Sequence, residues 1–200
     1  MRRAETIAAI LAFALAGSTS QAVAAGGSEP TEATTCAISA WLSTPDGRGI
    51  DVRAGPRADS AVVGQLPPPV LDEDYTFGAE VSVTGASDGW FRIDSATVID
   101  YIGDEEPKTV FAGDGWVPGE VLSLSLQSAL LHVAPSADSP VAAELAGVDA
   151  EGYESGPDSF AVKRLDACLD GWVEVEGEFL GRQLRGWTAG TCANQVTTCP

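Results

Sequence analysis

Short segments in which apolar and polar residues alternate follow one another along the chain, and Gly, Pro and Asp-Gly pairs separate them. From Trp90 to Asp94, Phe91 and Ile93 share one face of an extended strand, and two valines take the same places between Trp172 and Glu176. No segment beyond the first 25 residues sustains a 3.6-residue apolar period between helix caps. The pattern therefore predicts an all-β fold with at most single helical turns.

Trp90 and Trp172 fall on the polar faces of these two strands, beside Arg92 in one and Glu174 in the other. A tryptophan on the wet face of a small sheet is a candidate platform for a ligand. Tyr101 is a candidate wall of a groove floored by Trp90, and Trp172 is the counterpart of Trp90. The alternative is that neighbouring loops fold over both rings and complete the core.

Four landmarks occur twice along the chain in the same order, which indicates two copies of one unit. The landmarks are the strand starts Gly49–Val52 and Leu130–Val133, the segments Pro56–Leu66 and Pro135–Leu145, the Asp-Gly-Trp turns ending at Trp90 and Trp172, and the Gly-Trp-x-x-Gly sequences beginning at Gly115 and Gly186. The segments Pro56–Leu66 and Pro135–Leu145 are identical at six positions. We therefore predict a tandem of related units.

The spacing between landmarks locates the differences between the copies. The two tryptophans of a copy are 26 residues apart in the first and 15 in the second, which predicts an insertion from Thr97 to Gly113. The second copy is also expected to lack two residues where the first reads Arg53-Ala54-Gly55. We place the first unit at residues 36–126 and the second at 127–200, after a flexible lead-in at 26–35.

The first 25 residues have the three parts of a secretory signal peptide. Arg2 and Arg3 precede the apolar run Ile7–Ala16, and small residues then offer cleavage after Ala24 or Ala25. Ten apolar residues are too few for a membrane-spanning helix, which takes about 20. We therefore expect an exported protein, periplasmic or extracellular, whose mature chain has no membrane span.

The chain has 200 residues, a formal net charge of −18 and one histidine, His132. Such a charge argues against binding nucleic acid, because nucleic-acid-binding proteins present a basic face to the phosphates. With one histidine, most His-dependent acid-base, nucleophilic and zinc mechanisms lack a part. A hydrolase working through paired carboxylates stays open as a third possibility, but no motif selects a pair. We expect no enzymatic activity, no cofactor and no metal.

Four cysteines follow the expected cleavage site, and an even number in an exported chain predicts two disulfides. Four cysteines allow three pairings. We expect Cys168 to pair with Cys192, because both lie beside strand-like segments in the last third. Cys36 would then pair with Cys199 and tie the start of the fold to its end.

The first copy resembles the bacterial SH3 family, also written SH3b or SH3-like. Ile50–Arg57 resembles its "hydrophobic-Asn-Val-Arg-x-Gly-Pro-Ser" opening, and Ala58–Leu66 its "Ala-Asp-Ser-x-Val-Val-Gly-x-Leu" segment. The Asp-Gly-Trp ending at Trp90 and the Gly-Trp-Val at Gly115–Val117 complete the pattern. The second copy keeps this skeleton without the Arg-x-Gly element. The resemblance implies two small SH3-like β-barrels in tandem.

The resemblance also implies a function, because such domains in exported bacterial proteins generally bind cell-wall peptide or protein surfaces. The negative charge favours a peptide stem carrying amines, or a basic envelope protein, as the partner. We therefore expect a non-catalytic binding module that recognises cell-envelope peptide or protein. The alternative is a secreted, disulfide-stabilised inhibitor or effector that acts through the protruding insertion loop.

Overall fold

A computed structural model describes residues 32–72, 75–101, 105–196 and 199. The predicted signal peptide at 1–25 and most of the lead-in at 26–35 lie outside the described residues. Within the described ranges the chain forms strands and two short 3-10 helices, and no α-helix. The all-β prediction is confirmed. No helix in this part of the chain is long and apolar enough to cross a membrane.

Eighteen strands follow one another along the described chain. Those of the first half are β1 Thr34–Leu42, β2 Ile50–Arg53, β3 Val62–Leu66, β4 Val70–Asp72, β5 Tyr75–Phe77, β6 Glu80–Ser87, β7 Trp90–Val98, β8 Lys108–Pro118, β9 Leu122–Ser123 and β10 Ser125–Leu126. Those of the second half are β11 Leu130–His132, β12 Val141–Glu144, β13 Gly147–Val148, β14 Glu154–Ser155, β15 Ala161–Leu169, β16 Trp172–Phe179, β17 Arg182–Ala189 and β18 Thr191–Cys192. The 3-10 helices are η1 Gly119–Val121 and η2 Pro157–Ser159.

The strands form two main sheets, and the same strand order occurs in both. The first sheet has seven strands in the order β3-β2-β8-β7-β6-β1-β9, and the second has five in the order β12-β11-β17-β16-β15. The first five strands of one order correspond to the five of the other when the two copies are aligned. Three two-stranded sheets, β10-β18, β13-β14 and β4-β5, complete the described chain.

The strand register aligns the two copies without a gap between their strand starts and their Pro landmarks. Arg53 lies opposite Trp116, and His132 lies opposite Trp187. Arg53 is therefore equivalent to His132. The expectation that the second copy lacks two residues near Arg53-Ala54-Gly55 is wrong, because it equates Val52 with Val133, whereas the strand register equates Val52 with Leu131.

Tight turns connect the long hairpins where Asp-Gly pairs occur. Asp88 and Gly89 have φ values of 50° and 77°, and Ser87 pairs with Trp90 across the turn. The equivalent Asp170 has a φ of 53°. Asp and Gly tolerate this left-handed region better than other residues, so these pairs end one strand and start the next.

One buried hydrophobic cluster runs through both halves of the molecule. Phe91 and Ile93 of the first sheet and Val173, Val175 and Phe179 of the second are all fully buried members of this cluster. The strands of the two units form separate sheets, but their apolar faces share one continuous core. The predicted alternation holds, because buried and half-buried residues alternate along the first residues of β7 and along all of β16.

Two disulfides are present, as the even cysteine count predicts, but the expected pairing is wrong. Cys36 pairs with Cys168 and Cys192 pairs with Cys199, with Cα–Cα distances of 5.8 and 5.7 Å. The start of β1 lies beside the end of β15, where the Asp170 amide donates to the Thr35 carbonyl oxygen over 2.8 Å.

Cys192 lies in β18, which pairs with β10 rather than with β15, so it is not placed beside Cys168. The expectation treated neighbours in sequence as neighbours in the sheet. Two disulfides indicate an oxidising environment outside the cytoplasm.

Candidate functional site

A Gly-Trp pair in β8 of the first unit and in β17 of the second places a tryptophan on the outer face of each sheet. Gly115 is buried, and a methyl group there would lie 2.2 Å from Val52 Cγ1. A methyl group at Gly186 would lie 2.9 Å from Leu131 Cβ. Both glycines therefore allow a close approach of neighbouring strands. Since side chains alternate along a strand, the residue after each glycine points outward.

Each unit presents two tryptophans on this outer face. Trp116 lies opposite Arg92, which shares a face with Trp90, and Trp187 lies opposite Glu174, which shares a face with Trp172. Diagonal neighbours of this kind are about 7–8 Å apart, within reach of aromatic side chains. All four rings are half-buried. We call Trp90 with Trp116 the first tryptophan pair, and Trp172 with Trp187 the second.

The sequence hypothesis included Trp90 and Trp172 but not Trp116 and Trp187. The repeated Gly-Trp sequence contained the missing signal, because a glycine that must be buried in a strand forces its neighbour outward. Trp116 and Trp187 served only as landmarks of the repeat. Pairing them with Trp90 and Trp172 required the strand register.

Arginines flank the first tryptophan pair. Arg53 on β2 and Arg92 on β7 lie on either side of Trp116. The Arg53 guanidinium donates to the Ser60 carbonyl oxygen over 3.2 Å, and Arg92 Nε donates to Thr84 Oγ1 over 3.1 Å. Arg53 is also ion-paired with Asp51 at 2.9 Å, so a turn and a carboxylate hold Arg53, and the neighbouring strand holds Arg92.

Different residues flank the second tryptophan pair, although the backbone positions are equivalent. His132 and Glu174 lie on either side of Trp187. The His132 ring meets the Trp172 ring edge-on, with centroids 5.5 Å apart and planes at 88°. His132 Nδ1 is 2.9 Å from the Ser139 carbonyl oxygen, which can only accept, so Nδ1 carries the proton. The structure therefore places Trp172 against His132.

A charge network surrounds Glu174 on the same face. Arg185 donates to both Glu174 carboxylate oxygens over 3.0 Å, and Arg164 is 2.8 Å from Glu176. Between these pairs lies Asp166, with Oδ1 2.9 Å from Arg164 Nε and Oδ2 3.1 Å from Arg185 Nε. The Arg185 Nε–H donates to Glu174, so Asp166 Oδ2 gains an ionic contact but no hydrogen bond.

Burial raises the pKa of Asp166, and the two arginines only partly oppose this effect. Its side chain is 15% exposed, whereas the side chains of Arg164 and Arg185 are 46% and 52% exposed. The carboxylate is therefore the partly desolvated member of the network, and the guanidinium groups stay hydrated.

Trp90 lines a cavity of about 280 Å³ between the two units. Asp88, Gly119 and Glu120 line it from the first unit, and Arg164 and Asp166 line it from the second. Trp90 therefore contributes both to the first tryptophan pair and to a cleft whose other wall carries the charge network. Most of the charged groups in this cleft are carboxylates, which suits a ligand with amines.

Tyr101 does not reach this cleft. It follows the far end of β7, and nine strand residues span about 26 Å at roughly 3.3 Å each. Its ring packs on Phe77 with centroids 5.3 Å apart, and its hydroxyl donates to Glu80 Oε1. Burial and then the hydrogen bond to Glu80 raise the pKa of the Tyr101 phenol to about 12. The structure thus separates Tyr101 from Trp90, and it cannot form a wall of the same groove.

Among the described residues, no group of three or more His, Cys, Asp or Glu side chains is arranged to hold a metal ion. The arrangement that remains is an outer face with two tryptophans and charged side chains, present twice. Comparison of the chain with protein-family models, with curated proteins and with solved structures found no match.

Proposed function

We propose that the chain is an exported, non-catalytic binding module, periplasmic or extracellular, that recognises cell-envelope peptide or protein through two SH3b-like units. One observation carries the proposal. Each unit directs two half-buried tryptophans outward from equivalent positions, while its inner face is filled by aliphatic and phenylalanine side chains. Tryptophan provides a large, rigid contact area, which is why it is common at the centres of binding interfaces.

The strand order supports the assignment to SH3b-like units. Each unit uses the same five-strand order, and in each the strand before it pairs with the strand after it, β1 with β9 and β10 with β18. In the first unit β1 and β9 extend the five strands into one seven-stranded sheet, whereas β10 and β18 of the second unit form a separate two-stranded sheet.

Charge indicates the chemistry of the partner. With a net charge of −18, the protein as a whole attracts cations. The cleft at Trp90 adds carboxylates from Asp88, Glu120 and Asp166 against a single arginine, Arg164. A peptide stem with free amines, or a basic segment of an envelope protein, fits this field.

The alternative of an inhibitor or effector with a protruding loop has less support. Tyr101, from the predicted insertion, turns back onto Phe77 and Glu80 instead of projecting from the surface. Much of the rest of the insertion extends the hairpin of β7 and β8.

A pull-down with the oxidised protein as bait tests the proposal. Solubilised cell-envelope extract and purified peptidoglycan are offered to it in parallel. We expect Trp90→Ala and Trp116→Ala each to lower the captured amount at least tenfold, because each removes one indole of the first tryptophan pair. The melting temperature should change little, since neither ring belongs to the buried cluster.

Phe111→Ala is the matched control, because Phe111 is half-buried but packs against the buried cluster. This change should lower the melting temperature and leave capture by the folded protein intact. Undiminished capture by Trp90→Ala and Trp116→Ala, together with a large loss of stability, would show that the first tryptophan pair belongs to the core and would refute the proposal.

A further inference from the structure

Trp41 is a tryptophan of the first unit that belongs to neither tryptophan pair. Its neighbours along β1, Ala40 and Leu42, are buried, so Trp41 points to the outer face of the first sheet. Trp41 pairs with Ser123 of β9, and the Cβ atoms of such cross-strand neighbours are about 4.5–5.5 Å apart. An indole and a hydroxyl group therefore lie side by side on this face.

Trp41 and Ser123 line a cavity of about 440 Å³, which we call the Trp41 pocket. Asp158 of η2 lines it from the second unit, and residues 194–196 of the C-terminal segment line it as well. The volume is in the range of small-ligand sites. The Trp41 pocket thus combines one aromatic ring with polar side chains from separate parts of the chain.

The Ser123 hydroxyl is a polar group that the fold itself does not satisfy. Ser123 is 8% exposed, and its Oγ has no hydrogen-bond partner among the described residues. In this part of the chain only Asp166 Oδ2 is both fully buried and without a hydrogen bond, so Ser123 Oγ is accessible from the pocket that it lines. A nearly buried hydroxyl costs free energy unless a partner reaches it. Ser123 therefore points to a polar ligand group in the Trp41 pocket.

Hydrogen bonds fix the part of the pocket formed by residues 194–196. Ser125 Oγ donates to the Asn194 carbonyl oxygen over 3.1 Å. The Gln195 side-chain amide accepts from the Gly78 amide over 2.8 Å and donates to the Gly78 carbonyl oxygen over 2.9 Å. The Cys192–Cys199 disulfide closes the loop that carries both residues. These contacts anchor the loop on the first unit, so this side of the pocket is preformed.

The polar groups around the pocket are neutral apart from one carboxylate. Hydroxyl and amide side chains dominate, Asp158 is acidic, and no described residue that lines the pocket is cationic. A phosphate or carboxylate ligand would therefore meet no cation, and the net charge of −18 would repel it. An ammonium ligand would meet one exposed carboxylate here against three in the cleft at Trp90. The lining thus suits an uncharged ligand that carries several hydroxyl groups.

We propose that the Trp41 pocket binds a neutral pyranose sugar of an uncharged glycan. The C–H groups on one face of a pyranose ring pack against an indole, and the hydroxyl groups at its edge both donate and accept hydrogen bonds. The Ser123 hydroxyl can donate and accept in turn, whereas Asp158 and Ser125, whose proton is taken by Asn194, accept. Neither tryptophan pair lines the Trp41 pocket, so this proposal stands apart from the proposed function.

NMR titration of the oxidised protein with neutral trisaccharides tests the proposal, because each tryptophan has one indole N–H. The probes are cellotriose, maltotriose and the trimer of N-acetylglucosamine. We expect at least one probe, at millimolar concentration, to shift the Trp41 indole signal and the Ser123 and Asp158 amide signals to saturation. The indole signals of both tryptophan pairs should not move. Sorbitol, which has hydroxyls without a ring, and trigalacturonic acid, which is anionic, should shift none of these signals.

Protein variants locate the effect. Ser123→Ala removes only the accessible hydroxyl and should weaken binding of the best probe at least fivefold. Ser39→Ala is the matched control, because Ser39 lies on the same face of β1 as Trp41 but does not line the pocket, and it should leave binding unchanged. Trp41→Ala should weaken binding at least tenfold, although it also costs stability because Trp41 packs against the buried cluster. Trp90→Ala should leave binding unchanged, which separates this result from the test of the proposed function.

Three outcomes would overturn the proposal. Absence of any shift of the Trp41 indole signal with all three trisaccharides at millimolar concentration would mean that the pocket takes no neutral sugar. Equal shifts with sorbitol would mean that hydroxyl groups act there without recognition of a ring. Equal affinities of Ser123→Ala and Ser39→Ala for the best probe would mean that the sugar binds elsewhere.

Discussion

The two units share a backbone plan but differ in the residues around their outer tryptophans. At three equivalent positions the first unit has Arg53, Thr84 and Arg92, and the second has His132, Asp166 and Glu174. Thr84 and Asp166 both lie where the register shifts between neighbouring strands. The first unit therefore flanks Trp116 with two arginines, one of them ion-paired with Asp51, and the second flanks Trp187 with an imidazole and a carboxylate.

This difference shows which residues determine the fold and which adapt it. The buried positions keep their type, as in Val52 and Leu131 or Ile93 and Val175, because the core and the close strand contacts depend on them. The outer positions change charge without changing register, because they meet solvent.

The two disulfides should differ most in their effect on stability. Replacing Cys36 and Cys168 by serine opens a loop with a sequence separation of 132 residues, and the chain-entropy account gives a loss of about 5 kcal/mol. Replacing Cys192 and Cys199 opens a separation of 7 residues and should cost about 2.5 kcal/mol. Urea unfolding of both variants measures the difference. A larger loss for the second variant would show that Cys36–Cys168 does not hold the units together.

The buried glycines test whether the two cores are built alike. Gly115→Ala and Gly186→Ala should each lower the free energy of unfolding by about 2–3 kcal/mol, because each methyl group would overlap a neighbouring strand. Gly171→Ala is the control, since a methyl group there meets nothing within 4 Å, and it should cost under about 0.5 kcal/mol. Tolerance of alanine at only one of the two positions would break the equivalence of the units.

The two outer tryptophans Trp90 and Trp172 should differ in their contribution to stability. Trp172→Ala removes an edge-on contact with His132 and should lose about 1 kcal/mol more than Trp90→Ala. The double change with His132→Ala should show less than additive loss in a thermal unfolding cycle. Strict additivity would mean that the His132 and Trp172 rings do not interact.

Asp166→Asn should have the smallest effect, and its sign depends on pH. Burial raises the pKa of Asp166 in the folded protein, so folding becomes less favourable as the pH rises through the range where this carboxyl ionises. The variant should therefore be more stable than the wild type at pH 7, by under about 1 kcal/mol. The loss of the Asp166 charge costs Arg164 and Arg185 little interaction energy, because both are half-exposed and stay ion-paired with Glu176 and Glu174.

The advantage of Asp166→Asn should disappear below about pH 4, where the carboxyl is protonated in both the folded and the unfolded chain. Unfolding midpoints in urea at pH 3.5 and pH 7 check this. A variant that is less stable at pH 7 and equal at pH 3.5 would mean that the ionic contacts of Asp166 outweigh its desolvation.

The sequence carried the fold class and the alternation of faces, because both depend on local patterns such as Phe91 and Ile93 around Arg92. It did not carry the pairing of Cys36 with Cys168, which depends on β1 lying beside β15 across more than a hundred residues. The sequence also suggested one groove for Tyr101 and Trp90. These two residues lie at opposite ends of β7, and only the length of that strand keeps them apart. Trp116 and Trp187 could be paired with Trp90 and Trp172 only from the strand register. At the strand starts, the sequence spacing differs from that register by two residues.

The central claim is that one sheet plan occurs twice with its tryptophans facing outward. Measuring the strand register at Trp116 and Trp187 tests this claim most directly. We predict that NMR shows cross-strand backbone NOEs from Trp116 to Arg53 and Arg92, and from Trp187 to His132 and Glu174. NOEs from Trp187 to Leu131 or Val133 instead would contradict the account. Such a one-residue shift would turn Trp187 into the core and leave the second unit without its outer pair.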